Sequence, residues 1–383
     1  MQALMLRASL LFGISCFGAS MPASETVTVD RSVQIAESCM STTAPDQGGG
    51  PSCRFGGPFA PWNIPAATLP TAPNSSWLVD RLWDHTAGRF NLNSRKWTVA
   101  IYDADEANTK SLVETKHPDW GNLHGQMAPW NPDWQIPDDS DAMVSVVDYD
   151  TGLSWSYWGN TRLENDKILA GTASIVQESI DTEPMRPADV FAKENGYRVN
   201  RASGLPYVFM TVTRAELEAG HIPHALTLLW PHPAQYAYVG PAIKGAGKTG
   251  GPSDRLPMGT RFVWEIPHED IEEWASTLDP AVRPGMKAIA VALRDYGGIG
   301  TDHAGRLESR RGAIWIEHDF SARWDEIGFS KEATFKALDK LLSRNKHRAR
   351  AIAPCAWPGG DENKVCCYPN DSVDYPAGHE CNP

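Results

Sequence analysis

Four side chains able to move protons or orient a polar ligand crowd into one segment: His117, Asp119, His124 and Gln126. Removing an acidic C–H proton from a uronic sugar requires a base, an acid for the leaving oxygen and a donor that neutralises the carboxylate. His or Tyr together with Gln, Asn or Arg meet those needs. His124 and Gln126 are one residue apart, which in a strand puts both on one face. Farther on, His221 and His224 flank the start of an apolar run, and Tyr207, Arg261, Glu265 and Asp302 come from separate segments that a folded sheet can join. His124, His224, Tyr207, Arg261 and Asp302 are therefore the catalytic candidates. Glu265 and Asp302 answer equally to the acid and the base or nucleophile of a glycoside hydrolase. Each has a structural alternative, since loop Asp and His commonly cap backbone groups and a buried His is commonly a satisfied hydrogen-bonding group.

Tryptophan is the loudest compositional signal, with 15 in 383 residues. Indole faces stack on the apolar faces of sugar rings while neighbouring polar groups hold hydroxyls. Trp120, Trp130 and Trp134 fall in a Pro- and Gly-rich stretch, where platforms of this kind are exposed. They join His117, Asp119 and Gln126 as candidate ligand-binding residues. Trp97, Trp155 and Trp158 sit in strand-like runs and read as core, because strand tryptophans pack inward.

Other patterns close off chemistries. Residues 245–250 (GAGKTG) look like a phosphate loop, but Ala242 occupies the place of the first glycine. The chain has no Gly-x-Ser-x-Gly elbow and no His-Glu-x-x-His helix. Asp138, Asp139 and Asp141 offer oxygen ligands for a structural calcium, against the simpler reading of a solvated turn. Otherwise no cofactor is expected.

Strands are expected where residues alternate or are β-branched, at 97–102, 142–148, 153–158, 207–212, 225–230, 261–266 and 313–317. The stretch 149–152 (YDTG) has hairpin-turn chemistry. Helices are few: a capping box at 213–216 (TRAE) closed by Gly220, then 270–278, 286–296 and 332–345 by apolar spacing. The expectation is a mainly β fold, a β-sandwich or jelly-roll core with a few peripheral helices and a cysteine-rich C-terminal tail.

At the N-terminus, Arg7 precedes an apolar run over 8–17 and the small residues Gly18, Ala19 and Ser20, the grammar of a secretory signal peptide. Residues 1–20 are read as that signal, 21–60 as an irregular disulfide-pinned segment, 61–350 as a single core domain and 351–383 as the tail. Cys39, Cys53, Cys355, Cys366, Cys367 and Cys381 then remain, an even set suited to disulfides outside the cell. A formal charge of −12 argues against nucleic acid, and against a strongly anionic polymer unless a local basic groove overrides the net field. No stretch reaches the roughly 20 apolar residues of a membrane span, so no membrane partner is expected.

Several segments taken in order carry a resemblance: 61–63 (PWN), 117–121 (HPDWG), 202–206 (ASGLP), 218–226 (EAGHIPHAL), 257–262 (PMGTRF), 292–297 (ALRDYG), Asp302 and 323–325 (RWD). Over roughly 61–330 the chain resembles a family of uncharacterised secreted microbial β-rich proteins for which action on polysaccharides is the expected activity. Where relatives read Asp-Asn-Gly, this chain has Asp302-His303-Ala304-Gly305, so the resemblance carries no role past Asp302. The sequence thus implies a secreted enzyme cleaving an extracellular polysaccharide by elimination or hydrolysis, with a non-catalytic glycan-binding protein as the alternative.

Overall fold

The computed structural model describes residues 61–177, 201–234, 238–242, 245, 254–305, 310–329 and 333–353. The signal segment, all six candidate disulfide cysteines, the cysteine-rich tail and most of the 245–250 loop lie outside them. Along the chain run α1 (Ser75–Thr86), β1 (Phe90–Asn93), β2 (Ala100–Asp103), β3 (Thr109–Thr115), β4 (Met127–Trp130), β5 (Val144–Asp148), β6 (Leu153–Trp158), β7 (Arg162–Glu164), β8 (Lys167–Ala170) and β9 (Thr172–Gln177). The second half holds α2 (Arg214–Ala219), β10 (Leu226–Trp230), β11 (Arg261–Trp264), α3 (His268–Ser276), α4 (Arg283–Asp295), β12 (Gly298–His303), β13 (Gly312–Trp315), α5 (Asp319–Ala322), α6 (Ala333–Arg344) and β14 (Ala349–Ala351). The described fold is mainly β, with three mixed sheets and few helices. Among the described residues no helix is long and apolar enough to cross a membrane.

One sheet has six strands in the order β1-β13-β10-β12-β11-β14, and the other two have four each, β2-β5-β6-β9 and β4-β3-β8-β7. Side-chain alternation divides their faces. Phe90, Leu92, Leu228, Trp230, Phe262, Trp264 and Ile314 of the six-stranded sheet pack with Leu82 of α1, Ile271 of α3, Ile289 and Leu293 of α4 and Leu342 of α6. The opposite face presents Leu229, Val263, Ile299, Ala313 and Trp315, which share a cluster with Ile101, Val147 and Val176 of the β2-β5-β6-β9 sheet. That second sheet turns Tyr102, Val144, Val146 and Tyr157 the other way, onto Val113, Trp130 and Ile168 of the third. Its strands are buried on both sides, which explains the nearly continuous apolar run of β5.

Local chemistry accounts for many boundaries. Thr213 and Glu216 form the expected capping box, and Gly220 closes α2 in the left-handed conformation. Asp148 Oδ1 accepts from the N–H groups of Asp150 and Thr151, each at 3.0 Å, and fixes the hairpin between β5 and β6. In β12, a Cβ at position 300 would lie 1.7 Å from the Trp230 ring, so glycine lets that indole pack flat against the strand.

Two expectations are corrected. Residues 207–212 are not a strand: the Tyr207 carbonyl accepts from Arg201 and from Thr211 Oγ1, Met210 has φ +61°, and only Val212 bridges, to Ile316. With its acceptors spent on a local turn, this backbone cannot enter a ladder. Residues 121–126 form a turn ahead of β4, so His124 and Gln126 do not share a strand face.

Candidate functional site

An open cleft of about 450 Å³ lies where the second and third sheets adjoin, lined by Lys116, His117, Ser140, Trp158, Asn160 and Arg162 among others. The backbone there is tied together across strand ends. Gly159 N–H donates to the Asp141 carbonyl at 2.7 Å, Gly171 N–H to Gly159 at 2.6 Å, and His117 N–H to Gly171 at 2.9 Å. Gly171 has little room for a side chain, since its Cβ would sit 3.0 Å from the Trp158 carbonyl. At the rim the His117 imidazole stacks on the Trp120 indole, with centroids 4.3 Å apart and planes at 18°. Trp120 is 54% exposed.

Trp158 leads from the cleft inward. Its indole N–H hydrogen-bonds Asp141, a half-buried carboxyl pushed up to about 6 by desolvation and then by the neighbouring charges of Asp302 and Asp139, while the Trp158 bond and His303 pull it down. Asp139 fixes this turn by accepting from the N–H groups of Asp141, Ala142 and Trp97. Asp302, near the end of β12, accepts from Ala202 N–H at 3.2 Å and from His303 N–H at 2.8 Å. Tyr207 lies buried within the field of the same groups. Desolvation raises its phenol well above the ordinary range, Asp302 and Asp141 add to that, and Arg201 opposes it. Arg201 is fully buried, donates to the Tyr207 carbonyl and to Thr211 Oγ1, and stacks over Trp315 at 4.7 Å.

Of the sequence candidates, Asp302 therefore lies within electrostatic range of buried Tyr207, and His117 and Trp120 stack at the cleft; Asp119 is exposed between them in the same short helical turn. The others sit elsewhere. His124 is exposed and accepts the Thr115 N–H at 3.0 Å, while Gln126 donates to the Asn122 carbonyl. His224 bonds Glu216 Oε1 at 2.8 Å and the Ala225 carbonyl at 2.9 Å. Against burial, which raises it, the charge and hydrogen bond of His224 and the Thr213 donors hold the Glu216 carboxyl below the usual carboxylate range. Arg261 is buried and donates to the carbonyls of Pro61, Ile64 and Tyr296. Its guanidinium clamps the start of the core rather than facing a ligand.

Trp130, expected on an exposed loop, is a correction. It is 1% exposed, edge-on to Tyr157 with centroids 5.6 Å apart. Trp134 is half-buried and stacks on Tyr102 at 4.8 Å. The Pro-rich stretch that suggested exposure folds back, and its indoles complete the third core cluster. Glu265 ion-pairs Arg350 at 2.6 Å on the β14 side of the large sheet, so the carboxylate coupled to Asp302 is Asp141 instead. Sequence reasoning placed Asp141 only in a calcium-type turn and read Trp158 as core. The one local hint was an aromatic at a strand end beside Gly159-Asn160. Among the described residues no group of three or more His, Cys, Asp or Glu is arranged to hold a metal ion, and Asp139 spends its oxygens on backbone N–H groups.

No known protein family, curated protein or solved structure matches the chain.

Chemically, the site sets a carboxyl of raised proton affinity within electrostatic range of a second carboxylate fixed by backbone donors. A polar, aromatic-edged cleft adjoins them.

Proposed function

We propose that this chain is a secreted enzyme that cleaves an extracellular polysaccharide, and that it does so by hydrolysis, with Asp141 as proton donor and Asp302 as its carboxylate partner. The observation that carries this reading is the Trp158 bridge, one indole that lines the cleft and hydrogen-bonds the raised Asp141 carboxyl beside Asp302. Glycoside hydrolysis uses two carboxyls with unequal proton affinities, one to protonate the leaving oxygen and the other to act as base or nucleophile. Trp120 stacked on His117 supplies an apolar face for a sugar ring at the rim. The sandwich reading belongs to the same proposal: the groove forms on sheets packed face to face, and the apolar clusters between them support it. Export with terminal disulfides, and kinship with secreted β-rich proteins, complete it.

Elimination has weaker support. Its base would be Tyr207 or His124, but the former is buried with a raised phenol and the latter is bonded to Thr115 away from the carboxyl pair. A second reading, glycan binding without catalysis, draws on the two backbone N–H groups that occupy Asp302, an arrangement structural carboxylates also adopt.

The test is to incubate the mature protein with neutral and uronic polysaccharides while following reducing ends and the absorbance of unsaturated ends. Reducing ends without absorbance are expected. Asp141→Asn and Asp302→Asn should each lower turnover by about 10²–10⁴ with the circular dichroism spectrum unchanged. The rate should fall as pH rises through about 6, where Asp141 loses its proton. Binding with no turnover of any substrate would select the second reading.

A further inference from the structure

We infer that the cleft selects an acidic saccharide, one bearing a carboxylate or sulfate, through Lys116. This rests on the proposed glycan-directed role of the same cleft and names its substrate class. The chain as a whole carries a formal charge of −12, which would repel such a ligand, so the local charges decide the matter. The charged residues lining the cleft are Glu114, Lys116 and Arg162. Glu114 is neutralised by Lys167 at 2.7 Å. Arg162 uses Nε on Glu164 at 3.0 Å and Nη1 on the Asn160 carbonyl. Lys116 is exposed and makes no ion pair among the described residues.

The ammonium of Lys116 is therefore the one lining charge left uncompensated within the described residues, and it is positive. Its backbone is fixed: Lys116 N–H donates to the Ala170 carbonyl at 2.9 Å, and the next residue is His117, whose ring carries the Trp120 stack. A sugar ring lying on that stack would project an equatorial anionic substituent toward the neighbouring ammonium. An ammonium acts as a point charge without the bidentate geometry of a guanidinium, which suits either a carboxylate or a sulfate ester. The two sources are separated by the test.

The experiment compares the full mature chain on three probes, oligogalacturonate, a sulfated galacto-oligosaccharide and a neutral gluco-oligosaccharide, measuring binding by calorimetry and turnover by reducing ends. An acidic probe should bind in preference to the neutral one, and raising salt should erode that preference as the charge is screened. Lys116→Met should weaken binding of the preferred acidic probe by about two- to fivefold, the range for an exposed ion pair, and should flatten the salt dependence. Lys110→Met, which removes the same charge from an exposed β3 position outside the cleft lining, should leave both unchanged. Preference for the neutral probe, or a Lys110→Met effect equal to that of Lys116→Met, overturns the inference while leaving the proposed activity standing. Acidic binding without turnover on any probe sinks the hydrolytic reading and keeps this one. No binding of any probe removes both.

Discussion

The two faces of the six-stranded sheet divide the molecule. Toward the helices the sheet presents Leu228, Trp230, Phe262, Trp264 and Ile314 against apolar helix stripes. Toward the second sheet it presents apolar residues too, but mixed with buried Thr227, Thr301 and Arg261, while Ser145, Ser156 and Ser174 are buried in the strands opposite. Ser145 and Ser156 hydrogen-bond each other at 2.8 Å. The Ser174, Thr227 and Thr301 hydroxyls and the Trp315 indole N–H have no protein partner among the described residues. Asp141, Asp302, Tyr207 and Arg201 belong to this second region, and none belongs to the first. A face built mostly from hydrocarbon supplies stability because most of its area leaves water at little electrostatic cost, the indole N–H groups of Trp230 and Trp264, which have no partner among the described residues, being its exceptions. A face that retains polar groups holds less of that stability but can set proton affinities.

The largest effect should come from the helix-covered face. Trp230→Ala would remove a fully buried indole that packs edge-on to Phe262 and should cost about 3–5 kcal/mol, read as a lowered urea midpoint. A cost below about 1 kcal/mol, the level of a surface change, would break the comparison.

Next comes pH. Glu317 lies two residues beyond Trp315, on the continuation of β13, and accepts the Arg214 N–H at 3.0 Å where α2 begins. Desolvation pushes its carboxyl from 4.5 up to about 7, outweighing the help of Arg214 and Ser321; Glu216 adds to the rise. The folded chain thus binds this proton more tightly than the unfolded chain does. The stability it lends is complete below about 4.5 and is lost as pH rises through about 7. Glu317→Gln should remove that fall, worth about 3 kcal/mol between pH 4 and 8 on the conversion of a proton-affinity difference to free energy. Denaturation midpoints across the range check it, and an unchanged pH slope would place the sensitive group elsewhere.

The smallest effect sharpens the contrast. Ser174→Ala deletes a buried hydroxyl that has no protein partner among the described residues, so the loss of a hydrogen bond does not enter and the change should be within about 1 kcal/mol of neutral. A loss above about 2 kcal/mol would mean that the hydroxyl is satisfied in solution, and the polar seam would then be a stabilising network.

What could be read from the chain followed from locality. β6 spans the expected 153–158, the capping box of α2 sits at Thr213 and Glu216, and β5, β10, β11 and β13 begin within two residues of their expected positions. Each is set by neighbours in sequence. β3, β4, β7, β8 and β9 were not legible, because short mixed strands owe their pairing to a sheet around them more than to propensity. α1 was not expected, although Leu78, Leu82 and His85 recur at helical spacing.

By itself the sequence determined where hydrophobic periodicity had to be buried, where the chain turned, and which side chains could titrate. Only the tertiary structure decided that Trp130 is core and Trp120 is surface, that Arg261 is a clamp, and that Asp141 rather than Glu265 is electrostatically coupled to Asp302. The reason is physical. Propensity, capping and turns act over a few bonds, whereas a proton affinity depends on which distant charges and how much water the stacking of sheets leaves beside the group.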